Sequence, residues 1–180
     1  MKRFFLGFIL VIALPLKSWA VPITVSLEAS STDVFVGDIF TLNILADIPD
    51  PVLGWGLDVN FDSALVNQTM PPVIGPAWFA AVSPDGDGLA GLVFPTPVSG
   101  TGILLASLSF EAIDAGTVLF SAGISPLDLN EGFPLLLQGS FAEVVFNDLA
   151  VTINVPEPGT LLLFVVGFIV LLGCRLNTDR

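Results

Sequence analysis

The sequence predicts an all-β sandwich set between an N-terminal export segment and a C-terminal membrane-sorting helix. Three observations carry that expectation. Apolar and polar residues alternate at period two through the middle of the chain, and Gly, Pro and Asp clusters cut this pattern into short runs. All five basic residues lie in the two terminal segments, each of which also holds an unbroken apolar run.

The alternation is clearest where Phe40, Leu42, Ile44 and Ala46 interleave with Thr41, Asn43 and Leu45, and where Trp55, Leu57, Val59 and Phe61 interleave with Gly56, Asp58 and Asn60. Each run reads as a strand with one buried face, since successive side chains of a strand point to opposite sides. The same parity returns in Leu104, Ala106, Leu108 and Phe110, in Val118 and Phe120, and in a last strand carrying Leu149, Val151 and Ile153. Breakers are expected at residues 47–51, 71–72, 83–88, 95–102 and 125–132. Short strands divided by such turns bury their apolar faces by stacking two sheets.

Lys2, Arg3 and Lys17 stand near the start and Arg175 and Arg180 near the finish, so residues 21–155 contain no Lys or Arg. Setting Glu157 and Asp179 aside from the 17 acidic residues leaves 15 in that stretch, a formal charge of −15. No ion pair with Lys or Arg can form within it. Such a surface repels phosphate backbones and argues against nucleic-acid binding. It keeps an exported domain soluble and suits cations or basic partners. The one cysteine, Cys174, lies in the C-terminal apolar stretch, so stability between the two ends rests on the core alone.

Met1-Lys2-Arg3, the apolar run from Phe4 to Leu14, and a more polar exit with small residues at Ser18 and Ala20 form a secretory signal peptide over residues 1–20. Cleavage is expected after Ala20. The run's eleven residues would reach only about 17 Å as a helix, against a hydrocarbon core of roughly 30 Å. At the far end, residues 156–180 contain Pro156-Glu157-Pro158, an apolar helix over about 160–174, and a basic stop at Arg175. The prolines cannot continue a strand, and the flanking basic residues place both termini on the cytoplasmic side with the domain outside.

Val155-Pro156-Glu157-Pro158-Gly159-Thr160, the apolar run from Leu161 to Gly173 and then Arg175 resemble the PEP-CTERM sorting signal of Gram-negative bacteria. That resemblance implies processing by exosortase, a membrane protease-transpeptidase of exopolysaccharide-producing bacteria, with Pro156, Glu157 and Pro158 as the recognition motif. It also implies an inner-membrane intermediate, followed by the cell surface, outer membrane or extracellular matrix. This tail departs from the family pattern in its sparse basic end, Arg175 followed only by Asp179 and Arg180.

Residues 21–155 resemble the cohesin fold, a jelly-roll type of β-sandwich. The matching pieces are Val36-Gly37-Asp38 leading into Phe40 to Ala46, Gly54 to Phe61 followed by Asp62-Ser63-Ala64-Leu65, and Gly100 to Ala112 followed by Gly116 to Ala122. Cohesins bind dockerins, calcium-loaded helical modules, through one sheet face. No duplicated D-x-[DN]-x-[DN]-G loop occurs in this chain, so a dockerin-like partner would be a separate protein.

The chemical menu is narrow. Without His, Tyr, Lys or Arg in residues 21–155, a Ser-His-Asp arrangement is impossible and only carboxylates remain for proton transfer. A carboxylate-dependent glycan hydrolase is the one enzymatic alternative, and the expectation is that the protein is not an enzyme. Ser83-Pro84-Asp85-Gly86-Asp87-Gly88 gathers oxygen ligands, making Asp85 and Asp87 candidate Ca²⁺ ligands, while a polar β-turn is the preferred reading. Trp55 falls on the inward parity of its strand and is assigned to the core. Trp78, beside Phe79 and after a proline-rich stretch, is a candidate exposed contact for a ligand. The leading expectation is an exported, non-enzymatic surface or matrix protein whose cohesin-like module contacts protein or polysaccharide. The alternative is a carbohydrate-binding module acting in exopolysaccharide.

Overall fold

A computed structural model describes residues 21–81, 88–125, 131–136, 139–156, 164 and 166–169. The expected signal peptide at residues 1–20, with the expected cleavage site after Ala20, lies outside the described residues. So do Asp85, Asp87, Glu157, Pro158 and Arg175.

Among the described residues twelve strands follow one another: β1 (Ile23–Ala29), β2 (Asp33–Phe35), β3 (Ile39–Val52), β4 (Gly54–Asn60), β5 (Val66–Gln68), β6 (Val73–Ile74), β7 (Phe79–Ala81), β8 (Leu89–Leu92), β9 (Val98–Ala112), β10 (Gly116–Gly123), β11 (Val144–Asn147) and β12 (Leu149–Asn154). They form two sheets, ordered β11-β1-β3-β9-β5, with β6 also on β9, and β2-β12-β10-β4-β8-β7. Most neighbours are antiparallel, but β1 lies parallel to β11 and β2 parallel to β12. The first and last strands of the domain therefore close on each other in both sheets.

The alternation builds the core as expected. Phe40, Leu42, Ile44 and Ala46 are buried from one sheet, and Trp55, Leu57, Val118, Phe120, Val151 and Ile153 from the other. Phe110 centres an aromatic cluster, with ring centroids 4.8 Å from Phe61, 5.0 Å from Phe120 and 5.9 Å from Phe40. Offset and edge-on pairs at this spacing stabilise beyond their buried area.

Three local expectations need correction, the first being the break at residues 95–102, since β9 already begins at Val98 and pairs with β3 through Val98 and Gly100. Residues 47–51 do not break the chain, because β3 continues through them to Val52. Its ladder there skips from Ile48↔Gly100 to Val52↔Val98, so Pro49 and Pro51, which lack an N–H, fall between paired positions. The parity of β9 also changes. The pairing passes from Ile44↔Ala106 to Leu45↔Leu104, leaving Leu105 as the extra residue of a β-bulge. Leu105 and Ala106 are both fully buried, whereas Leu104 is only half-buried.

The bulge has a structural use. The carbonyl of Leu105 accepts the Gly75 N–H at 2.8 Å, and the carbonyl of Leu104 accepts the Trp78 indole N–H at 3.1 Å. Residues 75–78 are thus docked onto β9. A Cβ built at Gly75 would lie 2.0 Å from the Leu104 oxygen, a backbone atom fixed by the bulge. Gly75→Ala is therefore expected to cost about 1–3 kcal/mol, the range for forced overpacking. In a thermal melt this should appear as a fall of roughly 3–10 °C for a domain of this size. An unchanged melting temperature would mean that the 75–78 segment is not docked as described.

Candidate interaction face and sorting tail

The candidate ligand contact Trp78 is corrected by its burial: it is 6% exposed and packs edge-on against Trp55 at 6.3 Å. Its polar atom is already used by Leu104, and its ring offers no free face for stacking on a sugar. Trp55 lies across Gly91, its strand partner, where an added Cβ would come within 2.5 Å of the indole nitrogen. Both tryptophans belong to the interior.

Two exposed phenylalanines, Phe79 on the edge strand β7 and Phe94 just after β8, stand at one side of the second sheet. Phe79 of β7 is the cross-strand partner of Leu92 in β8, so both side chains stand on the same face. Leu92 in turn pairs with Gly54, and its Cδ2 lies 2.7 Å from where a Gly54 Cβ would be. The missing side chain at 54 lets Leu92 lie flat on β4. Phe94 follows two residues later. Phe79 is 70% exposed, Leu92 56% and Phe94 82%. This apolar edge stands on a domain with no positive charge, a composition suited to contact with a partner.

Two carboxylates, Asp58 and Glu131, meet on Ser125 among the described residues. No group of three His, Cys, Asp or Glu is placed to hold a metal ion there. The groove beside Val21, Thr24, Pro49 and Thr101 contains the single carboxylate Asp47, and the one lined by Phe61, Gln68, Pro72 and Leu108 contains none. Glu131 is the buried acid that period-two reading misses. Its carboxylate accepts the Ser125 N–H, and the Ser125 hydroxyl donates to Asp58 Oδ2 at 3.1 Å. This network ties the first part of the β10–β11 connection, at Ser125 and Glu131, to β4. Its sequence signal is only an acid beside Gly132, whose backbone exchanges two hydrogen bonds with Gly56.

The tail leaves from a fixed strand. β12 is held between β2 and β10, and the Asn154 carbonyl accepts the Val36 N–H at 2.9 Å. Val155 and Pro156 follow directly and are exposed. Of the expected helix over about 160–174, Phe164 and residues 166–169 are described, as exposed helix. Among the described residues no helix is long and apolar enough to cross a membrane.

Residues 154–176 match the PEP-CTERM protein-sorting motif. Among solved structures the chain is similar to the cohesin module of a Clostridium perfringens family 33 glycoside hydrolase, at TM-score 0.61 and 8% identity, covering 75% of this chain and 98% of that one. It is also similar to a non-cellulosomal cohesin from the archaeon Archaeoglobus fulgidus, at TM-score 0.55 and 12% identity, covering 76% and 94%. The third cohesin of ScaC from Acetivibrio cellulolyticus, solved in complex with the ScaB dockerin, aligns at TM-score 0.55 and 14% identity, covering 73% and 98%. The chain joins a cohesin-fold domain to a PEP-CTERM sorting motif. No curated protein matches it significantly in sequence. The motif implies export and membrane-anchored sorting in a Gram-negative bacterium. The sorting motif begins at Asn154, the last residue of β12, so module and signal are contiguous.

Proposed function

We propose that this protein is a non-enzymatic component of the cell surface or extracellular matrix, released from its membrane intermediate by exosortase and retained there by its cohesin-like module. The observation that carries this reading is the direct fusion of a cohesin-fold sandwich to a sorting motif that starts at its final strand residue. The solved ScaC cohesin holds a dockerin, which makes a separate dockerin-like protein the leading partner class. Charge narrows it further, because a domain carrying −15 and no base between residues 21 and 155 selects a partner rich in Lys or Arg. The apolar edge of Phe79, Leu92 and Phe94 would supply the buried centre of that contact.

A second reading is favoured by the same phenylalanines: Phe79 and Phe94 offer open ring faces on which sugar rings of an exopolysaccharide could stack. One experiment separates the two. Phe79→Ser/Phe94→Ser should be exported and processed like the wild type yet shift from the cell-surface fraction to the culture medium by about tenfold, the equivalent of 1.4 kcal/mol. Equal retention would remove this edge from the function. Release of the wild type by protease treatment of the surface favours a protein partner, and release by polysaccharide digestion favours the second reading.

A further inference from the structure

A second set of exposed apolar side chains lies at the opposite end of the sandwich, around the point where the tail departs. Phe35 is the strand partner of Asn154, and Val155 follows that residue. The turn after Phe35 crosses to the other sheet, where Gly37 donates to the Ala112 carbonyl at 2.8 Å and Ile39 pairs with Glu111. Ile113 is two residues beyond Glu111, diagonal to Ile39. Phe35, Ile39, Ile113 and Val155 are between 44% and 69% exposed. All four side chains therefore ring one end of the domain.

From this placement we infer that the tail end of the sandwich is a membrane-facing foot that lies on the neutral-lipid surface of the bilayer holding the chain's own apolar tail. The inference rests on the proposed membrane intermediate. Six residues separate Asn154 from Leu161, where the apolar run begins. Even fully extended they span about 20 Å, and the headgroup layer takes up several ångströms of that. β12 is paired on both sides, so its exit direction is set by the sheet and the tether is too short to swing the domain far away. An interfacial apolar ring with its polar backbone already bonded can enter the headgroup boundary without exposing unpaired groups. The carboxylates at this end select the lipid. Asp38, Asp62 and Asp114 each accept a nearby backbone N–H and stand at the rim, so anionic headgroups are repelled and zwitterionic ones accepted.

The test uses residues 21–180 with Cys174→Ser, reconstituted in phosphatidylcholine vesicles containing a doxyl-quencher lipid. Single cysteines at Ile39, Ile113, Thr101 or Phe168 carry an environment-sensitive dye. Thr101 lies about 30 Å from Ile39 along the paired β3 and β9 strands and reports the far end. Labels at 39 and 113 should be quenched at least twofold, label 101 not at all, and Phe35→Ser should weaken quenching at 113 while leaving 168 unchanged. Replacing half the lipid with phosphatidylglycerol should lower quenching at 39 and 113. Quenching at 168 with 39 and 113 behaving like 101 would overturn the foot. Absence of quenching at 168 would overturn the membrane-intermediate reading on which the foot stands.

Discussion

Trp55→Asp is expected to leave the domain unfolded under native conditions. The side chain is 2% exposed, sits on the inward face of β4, and meets Trp78 edge-on while covering Gly91. Truncating a buried tryptophan costs about 3–5 kcal/mol. A lone carboxylate in its place, with no Lys or Arg between residues 21 and 155 to pair with it, costs several kcal/mol more. The combined loss is comparable to the whole stability of a domain, about 5–15 kcal/mol. Circular dichroism of the variant should show no cooperative thermal transition. Trp55→Phe is the control: the indole N–H finds no hydrogen-bond acceptor, so phenylalanine forfeits packing alone and should retain the β spectrum. A folded Trp55→Asp domain would mean that the two-tryptophan contact is not part of the core.

The second large effect is expected at Glu157. It is the sole acidic residue between Asp148 and Asp179 and stands between Pro156 and Pro158, whose rings fix the local backbone. Alanine there removes the charge and its acceptor oxygens without changing the proline-set shape. If the processing enzyme reads the carboxylate, Glu157→Ala should accumulate unprocessed chain in the inner membrane by tenfold or more over the wild type, visible on an immunoblot of fractionated cells. Glu157→Asp should restore part of the processing. Wild-type processing of Glu157→Ala would show that the carboxylate is not read.

Where side-chain parity alone decides structure, the sequence was a sufficient guide. The strands containing Phe40 to Ala46, Trp55 to Phe61 and Leu149 to Ile153 bury the residues that alternation assigns inward, with Val59, Phe61 and Leu149 only partly covered near strand ends. β1 shows the same signal in Ile23, Val25 and Leu27, each buried. Parity failed where the backbone departs from it. The bulge at Leu105 shifts the phase of β9 by one residue, and nothing in Leu104-Leu105-Ala106 distinguishes an extra residue from a regular one. The burial of Trp78 escapes parity for a related reason. Its inward position depends on a carbonyl that the distant bulge presents, and on a glycine three residues earlier whose need appears only once β9 is beside it. The prolines at 49 and 51 suggest an interruption in the sequence, yet a long strand accommodates them by skipping ladder positions. Glu131 is buried because Ser125 supplies a partner N–H, a contact no local pattern announces.

Sorting is the claim on which export, surface placement and the membrane-facing foot all depend. Intact-mass spectrometry of the protein recovered from a host with active exosortase tests it most directly. The expected species begins at Val21 and has lost the residues that follow the Pro156-Glu157-Pro158 region. Recovery of a chain that still ends at Arg180 would contradict it.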